Sequence, residues 1–279
     1  MNIGNYIRLY SEDLRLKNYA ESSIGNYCSQ VALFLSDHEK VATKPSEISE
    51  RQIKEWLLKA NTINSRKHRL SAVKLFYKLT GKQPLKFKHI EYPRSEKNLP
   101  IVLSQEEVQR MFDACKNTKH LVIMALLYSC GLRVSELINL QWSNIDRSRK
   151  IINIIKAKGF KDRQVPLAEN LIPLLERYWK QYKPVQYVLN GQTEIRYTAK
   201  SVGEVVKQLA HKAGINKRVY THLMRHCSFT HLLENGIDIA LIQKIAGHAS
   251  PKTTSLYTHI SHNLISKVTT PFNQIKIAA

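Results

Sequence analysis

Along most of this chain apolar residues recur three and four positions apart, and that spacing predicts helices. Tyr6, Ile7, Tyr10 and Leu14 form one stripe, and Ile24, Tyr27, Val31, Phe34 and Leu35 a second. Ser49 and Gln52 make a capping box that opens a third helix, ISERQIKEWLLKA. A fourth helix, from about Asn64, carries Leu70, Val73, Phe76, Tyr77 and Leu79 as its apolar stripe. Its other face holds Arg66, Lys67, Arg69, Lys74 and Lys78. From Gly81 to Pro100 the periodicity lapses into GKQPLKFKHIEYPRSEKNLP, where prolines, a glycine and charges predict an extended connection. Residues 91–100 therefore read as a linker between a helical domain, 1–90, and a second domain, 101–279.

The second domain opens with another capping box, Ser104 with Glu107. His120 to Ser129 is apolar on all sides, which predicts a buried helix ending at Gly131, and a short helix RVSELINLQW starts at Arg133. Ile151–Ile155 and Arg163–Leu167 flank AKGFKD and read as a two-stranded hairpin with Gly159 in the turn. Helices follow at about 169–182 and 201–213, the latter opened by Ser201 and Glu204. His222 to Leu233 is a helix ended by Gly236, and Asp238 caps IALIQKIAG. In HASPKTTSLYTH, Ser250 and Pro251 start one more short, polar helix, with His248 at its N-terminus and Tyr257 at its far end. The expected fold is mostly α with a small β-hairpin or sheet in the second domain, an α+β arrangement.

Charge narrows the choice of partner. The 279 residues hold 43 Lys plus Arg against 22 Asp plus Glu, a net charge of +21, and the excess is dispersed along the chain. A folded protein of this charge most often meets nucleic acid, with an anionic membrane surface the weaker option. On a neutral protein the basic side of the fourth helix would be a solvated face; its nearly uniform sign here favours tracking of phosphates. No apolar run is long enough to span a bilayer, and the N-terminus carries acids, so it is not a secretory signal. Cys28, Cys115, Cys130 and Cys227 are scattered without CxxC spacing, which predicts reduced thiols in a cytoplasm and gives no metal-ligand cluster.

Candidate chemistry sits on a few polar residues, each with an ordinary alternative. Arg133 adds to the positive end of a helix dipole, which makes sense where an anion is held; otherwise it is a surface arginine paired with Glu136. His222 and Arg225 are three apart and share a helix face, His226 being read as pointing elsewhere, although HxxR alone is weak. Lys158 lies at the hairpin tip beside Lys156 and Lys161, and spacing does not choose among them. His248 could be a helix-cap histidine. Tyr257 is one of 13 tyrosines, but its helix has little apolar surface, so presentation to a ligand suits it better than packing.

Taken in order, the set Arg, Lys, His-x-x-Arg, His, Tyr resembles the tyrosine recombinases, the phage-integrase and Xer-like family. GLRVSEL, KGFKDRQVPL, THLMRHCSFTHLLENG and IQKIAGHASPKTTSLYTH are similar to that family's segments, in order, and LPIVLSQEEV to its entry into the catalytic domain. Met224 and Ala246 stand where the family favours leucine, and neither touches a reacting group.

The resemblance implies a helical N-terminal core-binding domain and a catalytic domain that close as a C-shaped clamp around DNA. It implies a site-specific recombinase or integrase that cuts and rejoins DNA through a 3′-phosphotyrosine, without metal, ATP or cofactor. Tyr257 is then the nucleophile, Arg133 and Arg225 the phosphate clamp and Lys158 the general acid. His248 supports the phosphate, His222 helps deprotonate or orient the tyrosine, and Glu136 stands behind the arginines. The implied partner is a double-stranded recombination site, bound by a homotetramer at synapsis and by a protein monomeric when free, with accessory DNA-binding proteins left open. The location is cytoplasmic and no membrane is involved. A type IB topoisomerase-like nicking-resealing enzyme is the nearest alternative, and a catalytically silent accessory protein a further one. The apolar residues of the tail, Leu264, Ile265, Val268, Phe272, Ile275 and Ile277, are expected to dock on a neighbouring protomer in preference to their own domain.

Overall fold

The computed structural model describes residues 1–94, 101–155, 162–191, 196–248 and 254. The chain divides into two compact units, Met1–Lys97 and Asn98–Ala279, each described by itself. No helix among the described residues is long and apolar enough to cross a membrane.

Among its described residues the first unit has four α-helices, α1 (Ile3–Leu16), α2 (Glu21–His38), α3 (Glu50–Leu58) and α4 (Ile63–Leu79), with short 3-10 turns at Pro45–Glu47 and Pro84–Phe87. The periodic residues meet in one core, where Tyr10, Leu14, Val31, Phe34, Leu35, Trp56, Val73, Phe76 and Tyr77 are buried. Its buried polar atoms find partners. The Tyr10 hydroxyl donates to the Ala72 carbonyl at 3.0 Å, Tyr77 to Pro45 at 2.6 Å, and the Trp56 indole to Asp37 at 3.0 Å. Ser49 and Gln52 form the capping box of α3.

The basic side of α4 is less uniform than expected. Lys67, Lys74 and Lys78 fall on one side at helical spacing, but Arg69 lies toward the core face. Its guanidinium sits 4.7 Å over the Trp56 ring and donates to the Trp56 carbonyl at 3.3 Å. An arginine's planar cation stacks on an aromatic face as readily as it meets a phosphate, and here the tryptophan takes it.

The second unit is built around α6 (Thr118–Ser129), whose Val122, Ile123, Met124, Leu126 and Leu127 are buried. Against it pack α8 (Leu171–Tyr182) and α10 (Thr221–Glu234). Around these stand α5 (Gln105–Asp113), α7 (Val134–Ile138), α9 (Ala199–Lys212) and α11 (Ile239–Ala246). Ser104 and Glu107 cap α5 reciprocally, and Asp238 caps α11 through the amides of Ala240 and Leu241. The cap of α9 is Thr198, whose hydroxyl accepts from the Ser201 amide at 3.1 Å, so that helix opens three residues before the serine expected to start it.

The expected hairpin is part of a three-stranded antiparallel sheet. β1 (Ile145–Asp146) pairs with β2 (Ile151–Ile154), which pairs with β3 (Arg163–Pro166), placing Ile152 opposite both Ile145 and Val165, and Ile154 opposite Arg163. Two residues were too short a segment for alternation to reveal β1.

The position of α10 is set at its middle by Leu103. The Leu103 amide donates to Cys227 Sγ at 3.3 Å and its carbonyl lies 3.0 Å from His231 Nε2. A carbonyl only accepts, so Nε2 carries the proton and Nδ1 accepts from the Tyr128 hydroxyl, 2.7 Å away. Two residues one turn apart thus pin both main-chain polar groups of Leu103.

Candidate active site

Three elements end in one place. α6 runs out at Gly131, α7 begins after Arg133, and α11 stops at Gly247. Gly131 and Gly247 have φ of +57° and +61°, the left-handed conformation that reverses a chain at low cost only without a Cβ. Both also leave room that a side chain would take. A Cβ on Gly131 would lie 2.6 Å from Cζ of Phe229, and one on Gly247 2.7 Å from Cδ of Arg163.

α10 supplies Arg225, which is 1% exposed although charged. Its Nη1 donates to the Gly131 carbonyl and its Nη2 to the Ala246 carbonyl. The guanidinium lies 4.7 Å over the ring of Phe229, one turn further along α10. Arg133 approaches from the other side, with Nη2 3.4 Å from the same Ala246 oxygen. One carbonyl at the negative end of α11 therefore gathers two guanidiniums.

Glu136 balances part of this charge. Its Oε1 accepts from Arg133 Nη1 at 2.8 Å and its Oε2 from the Arg133 amide at 2.8 Å, so the carboxylate closes the first turn of α7. The same oxygens accept both terminal nitrogens of Arg163 at 2.7 Å each. Burial alone would raise the Glu136 pKa. The Arg163 fork, the Arg133 amide and the two positive charges overcome it and hold the carboxyl at about 2.

His248 follows directly after Gly247. Its Nε2 is 3.4 Å from Arg225 Nη2 and its Nδ1 3.0 Å from the hydroxyl of buried Thr254. Arginine only donates, so Nε2 accepts and Nδ1–H donates to the threonine. Burial first, then Arg225 and Arg133, lower its pKa to about 4, so the ring is neutral at neutral pH. His222 is lowered by burial, Arg225 and Arg133. Its ring stands edge-on to that of His226, centroids 4.6 Å apart. His226 therefore does not point elsewhere: residues four apart share a helix face, and burial, His222 and Arg225 lower it to about 4.

The structure thus brings Arg133, Glu136, Arg225, His222 and His248 together. Lys158 and Tyr257 lie outside the described residues, as do the hairpin turn, the short helix before Tyr257 and the tail. Arg163 is the site residue that the sequence reading passed over, although it lies within the quoted KGFKDRQVPL. Alternation along β3 buries Arg163 and Val165 on one face, and an arginine at an inward strand position requires a buried carboxylate. Among the described residues no group of three or more His, Cys, Asp or Glu could hold a metal ion.

The sequence model of the phage integrase family matches residues 102–263, and that of the phage integrase N-terminal SAM-like domain matches residues 7–86. The tyrosine recombinase XerD of Oceanobacillus iheyensis is 33% identical over 249 residues, covering 82% of this chain and 83% of its own. The putative integrase/recombinase y4qK of Sinorhizobium fredii is 29% identical over 266 residues, covering 94% and 86%. The crystal structure of XerA recombinase aligns over 98% of both chains at 30% identity, with a TM-score of 0.57. A lambda integrase tetramer bound to a Holliday junction shares the fold with a TM-score of 0.74 at 16% identity, over 91% of this chain and 76% of that one.

Proposed function

Because the chain belongs to the phage integrase family, the tyrosine recombinases, we propose that its second unit cuts and rejoins DNA with Tyr257 as nucleophile and Arg133 and Arg225 as the phosphate clamp. The enzyme is a site-specific recombinase. The observation that carries the residue assignment is the meeting of both guanidiniums at one oxygen, the Ala246 carbonyl. Cations that can share one oxygen at a helix end are spaced to share the non-bridging oxygens of a phosphodiester. Arginine keeps its charge at every working pH and offers a planar fork, so two of them neutralise the charge that grows on a pentacoordinate phosphorus.

The Tyr257 oxygen bonds to phosphorus and gives up its proton, which His222, neutral at the working pH, is suited to receive. The bond to the 5′-oxygen breaks, and Lys158 supplies the proton that the leaving alkoxide needs. The product is a 3′-phosphotyrosine ester that keeps the energy of the original ester, and attack by a second 5′-hydroxyl reverses it. His248 lies beside Arg225, and a bound phosphate would offset the arginine charges that hold its pKa down.

The partner in this reading is double-stranded DNA, with Lys67, Lys74 and Lys78 of α4 following the phosphate backbone in the first unit. A monomer binds each half-site, four protomers assemble on two synapsed sites, and the work is done in the cytoplasm, where the DNA is. The test is covalent capture on a nicked site. Wild-type protein gives an SDS-resistant protein–DNA band, and Tyr257→Phe, which loses only the hydroxyl, gives none while still shifting the DNA in a gel. An adduct formed by Tyr257→Phe refutes the assignment of the nucleophile.

A further inference from the structure

Arg163 is buried, and it is fastened more completely than Arg133. All three faces of its guanidinium are occupied. Nη1 and Nη2 form a two-point fork with Glu136 at 2.7 Å each, and Nε donates to the Ile245 carbonyl at 2.8 Å. Its side chain is 5% exposed and that of Glu136 is 6% exposed. A two-point fork fixes direction as well as distance, so Arg163 determines the plane and position of the carboxylate.

Glu136 passes that position on. The oxygens that Arg163 holds are those that accept Arg133 Nη1 and the Arg133 amide, at 2.8 Å each. Arg133 needs the support: its side chain is 22% exposed, and its contact to the Ala246 carbonyl is long at 3.4 Å. Two guanidiniums on one carboxylate leave one positive charge over, on the arginine that faces the phosphate. Through Ile245, the residue before Ala246, Arg163 also holds the end of α11, and Gly247 has no Cβ where Arg163 Cδ passes. One strand residue thus ties β3 to α7 and α11.

We propose that Arg163 is a positioning residue for strand cleavage, acting through Glu136 to set the Arg133 guanidinium against the scissile phosphate. The proposal rests on the clamp role of Arg133 argued above. Lysine at position 163 keeps the charge but cannot make the fork or reach Ile245 at the same time. A clamp arginine that is misplaced neutralises the phosphate poorly, and about 1 Å of misplacement costs on the order of a hundredfold in rate. That defect concerns charge, so it should vanish on a substrate that has none.

The experiment measures single-turnover adduct formation by wild type, Arg163→Lys and Arg133→Ala on two versions of the site. One has the ordinary phosphodiester; the other has a methylphosphonate at the scissile position, which replaces a charged non-bridging oxygen by methyl. Relative to wild type on the same DNA, Arg163→Lys is expected to be ten- to a hundredfold slow on the diester and within about threefold of wild type on the methylphosphonate, with site binding unchanged. Equal slowing on both substrates, or none on the diester, overturns the proposal. If Arg133→Ala is itself unimpaired on the diester, the clamp reading fails instead, and the two failures are separable. Should Arg163→Lys not fold, Arg163→Met combined with Glu136→Leu removes the pair without leaving a buried charge. The same substrate selectivity is expected of it, and parallel loss on both substrates again overturns the role.

Discussion

Replacing Gly131 by alanine separates two costs that usually arrive together. The first is conformational: a residue with a Cβ at φ of +57° sits in the left-handed region, at about 1–2 kcal/mol. The second is steric: the new Cβ would lie 2.6 Å and 2.8 Å from two atoms of the Phe229 ring, which is completely buried. Making room for one extra carbon in a packed core costs about 1–3 kcal/mol more. Gly214 supplies the control, because its φ is +66° but nothing lies within 4 Å of where its Cβ would be. Gly214→Ala should therefore lose only about 1 kcal/mol, and Gly131→Ala about 3 kcal/mol. Hydrogen exchange read on peptides from α6 and α10 reports the stability of this unit alone. At about 1.4 kcal/mol per tenfold, protection should fall roughly fivefold in Gly214→Ala and about a hundredfold in Gly131→Ala. The Phe229 ring also carries Arg225, so Gly131→Ala should slow adduct formation, whereas Gly214→Ala should not. Equal losses of protection in the two variants would refute the steric half of the reasoning.

Glu136→Gln removes the charge that two guanidiniums share and sets an amide N–H against an arginine donor. Stripping one partner from a buried pair costs about 3–5 kcal/mol, and a fall in unfolding free energy of under about 1 kcal/mol, the worth of an exposed pair, would contradict the geometry. Stability should also decline with acid in two windows. An unfolded histidine takes its proton near pH 6.5, but His226 and His248 refuse theirs until about 4 in the folded protein, so their contribution is complete above about 6.5 and is lost as pH falls toward 4. Glu136, lowered from 4.5 to about 2, adds a second decline below about 4.5. A urea midpoint flat from pH 7 to pH 5 would count against the half-buried neutral histidines.

How much of this was legible in the sequence depended on distance along the chain. The capping boxes at Ser49 and Ser104 were readable because both partners lie within four residues. The helix stripes of the first unit were readable because one periodic face meets one core. The contact of Arg69 with Trp56 was not legible, because it is made with a residue 13 positions earlier, on another helix. His226 is next to Arg225 in sequence, but its one-turn relation to His222 decides which ring it meets. Arg163 was passed over because its carboxylate lies 27 residues away, and only the sheet register shows that β3 turns this arginine inward. Arg133, Arg225 and His248 were found as a set by resemblance. Their convergence on α11 is a property of the folded backbone.

That backbone has an evolutionary consequence. Arg225 is held by the main-chain oxygens of Gly131 and Ala246, and Ile245 gives one more to Arg163; a carbonyl is the same whatever side chain its residue carries. Position 246, a fully buried alanine in this chain, can therefore change without the cations noticing, provided the side chain still fits beneath α11. For the carbonyl contacts, mutation acts only by rerouting the chain, whereas Glu136 and Arg163 remain sensitive at their own side chains. The two positions that set the route are Gly131 and Gly247, so the tolerance for change is narrowest at two residues with no side chain at all, one of which, Gly131, also supplies a carbonyl to Arg225.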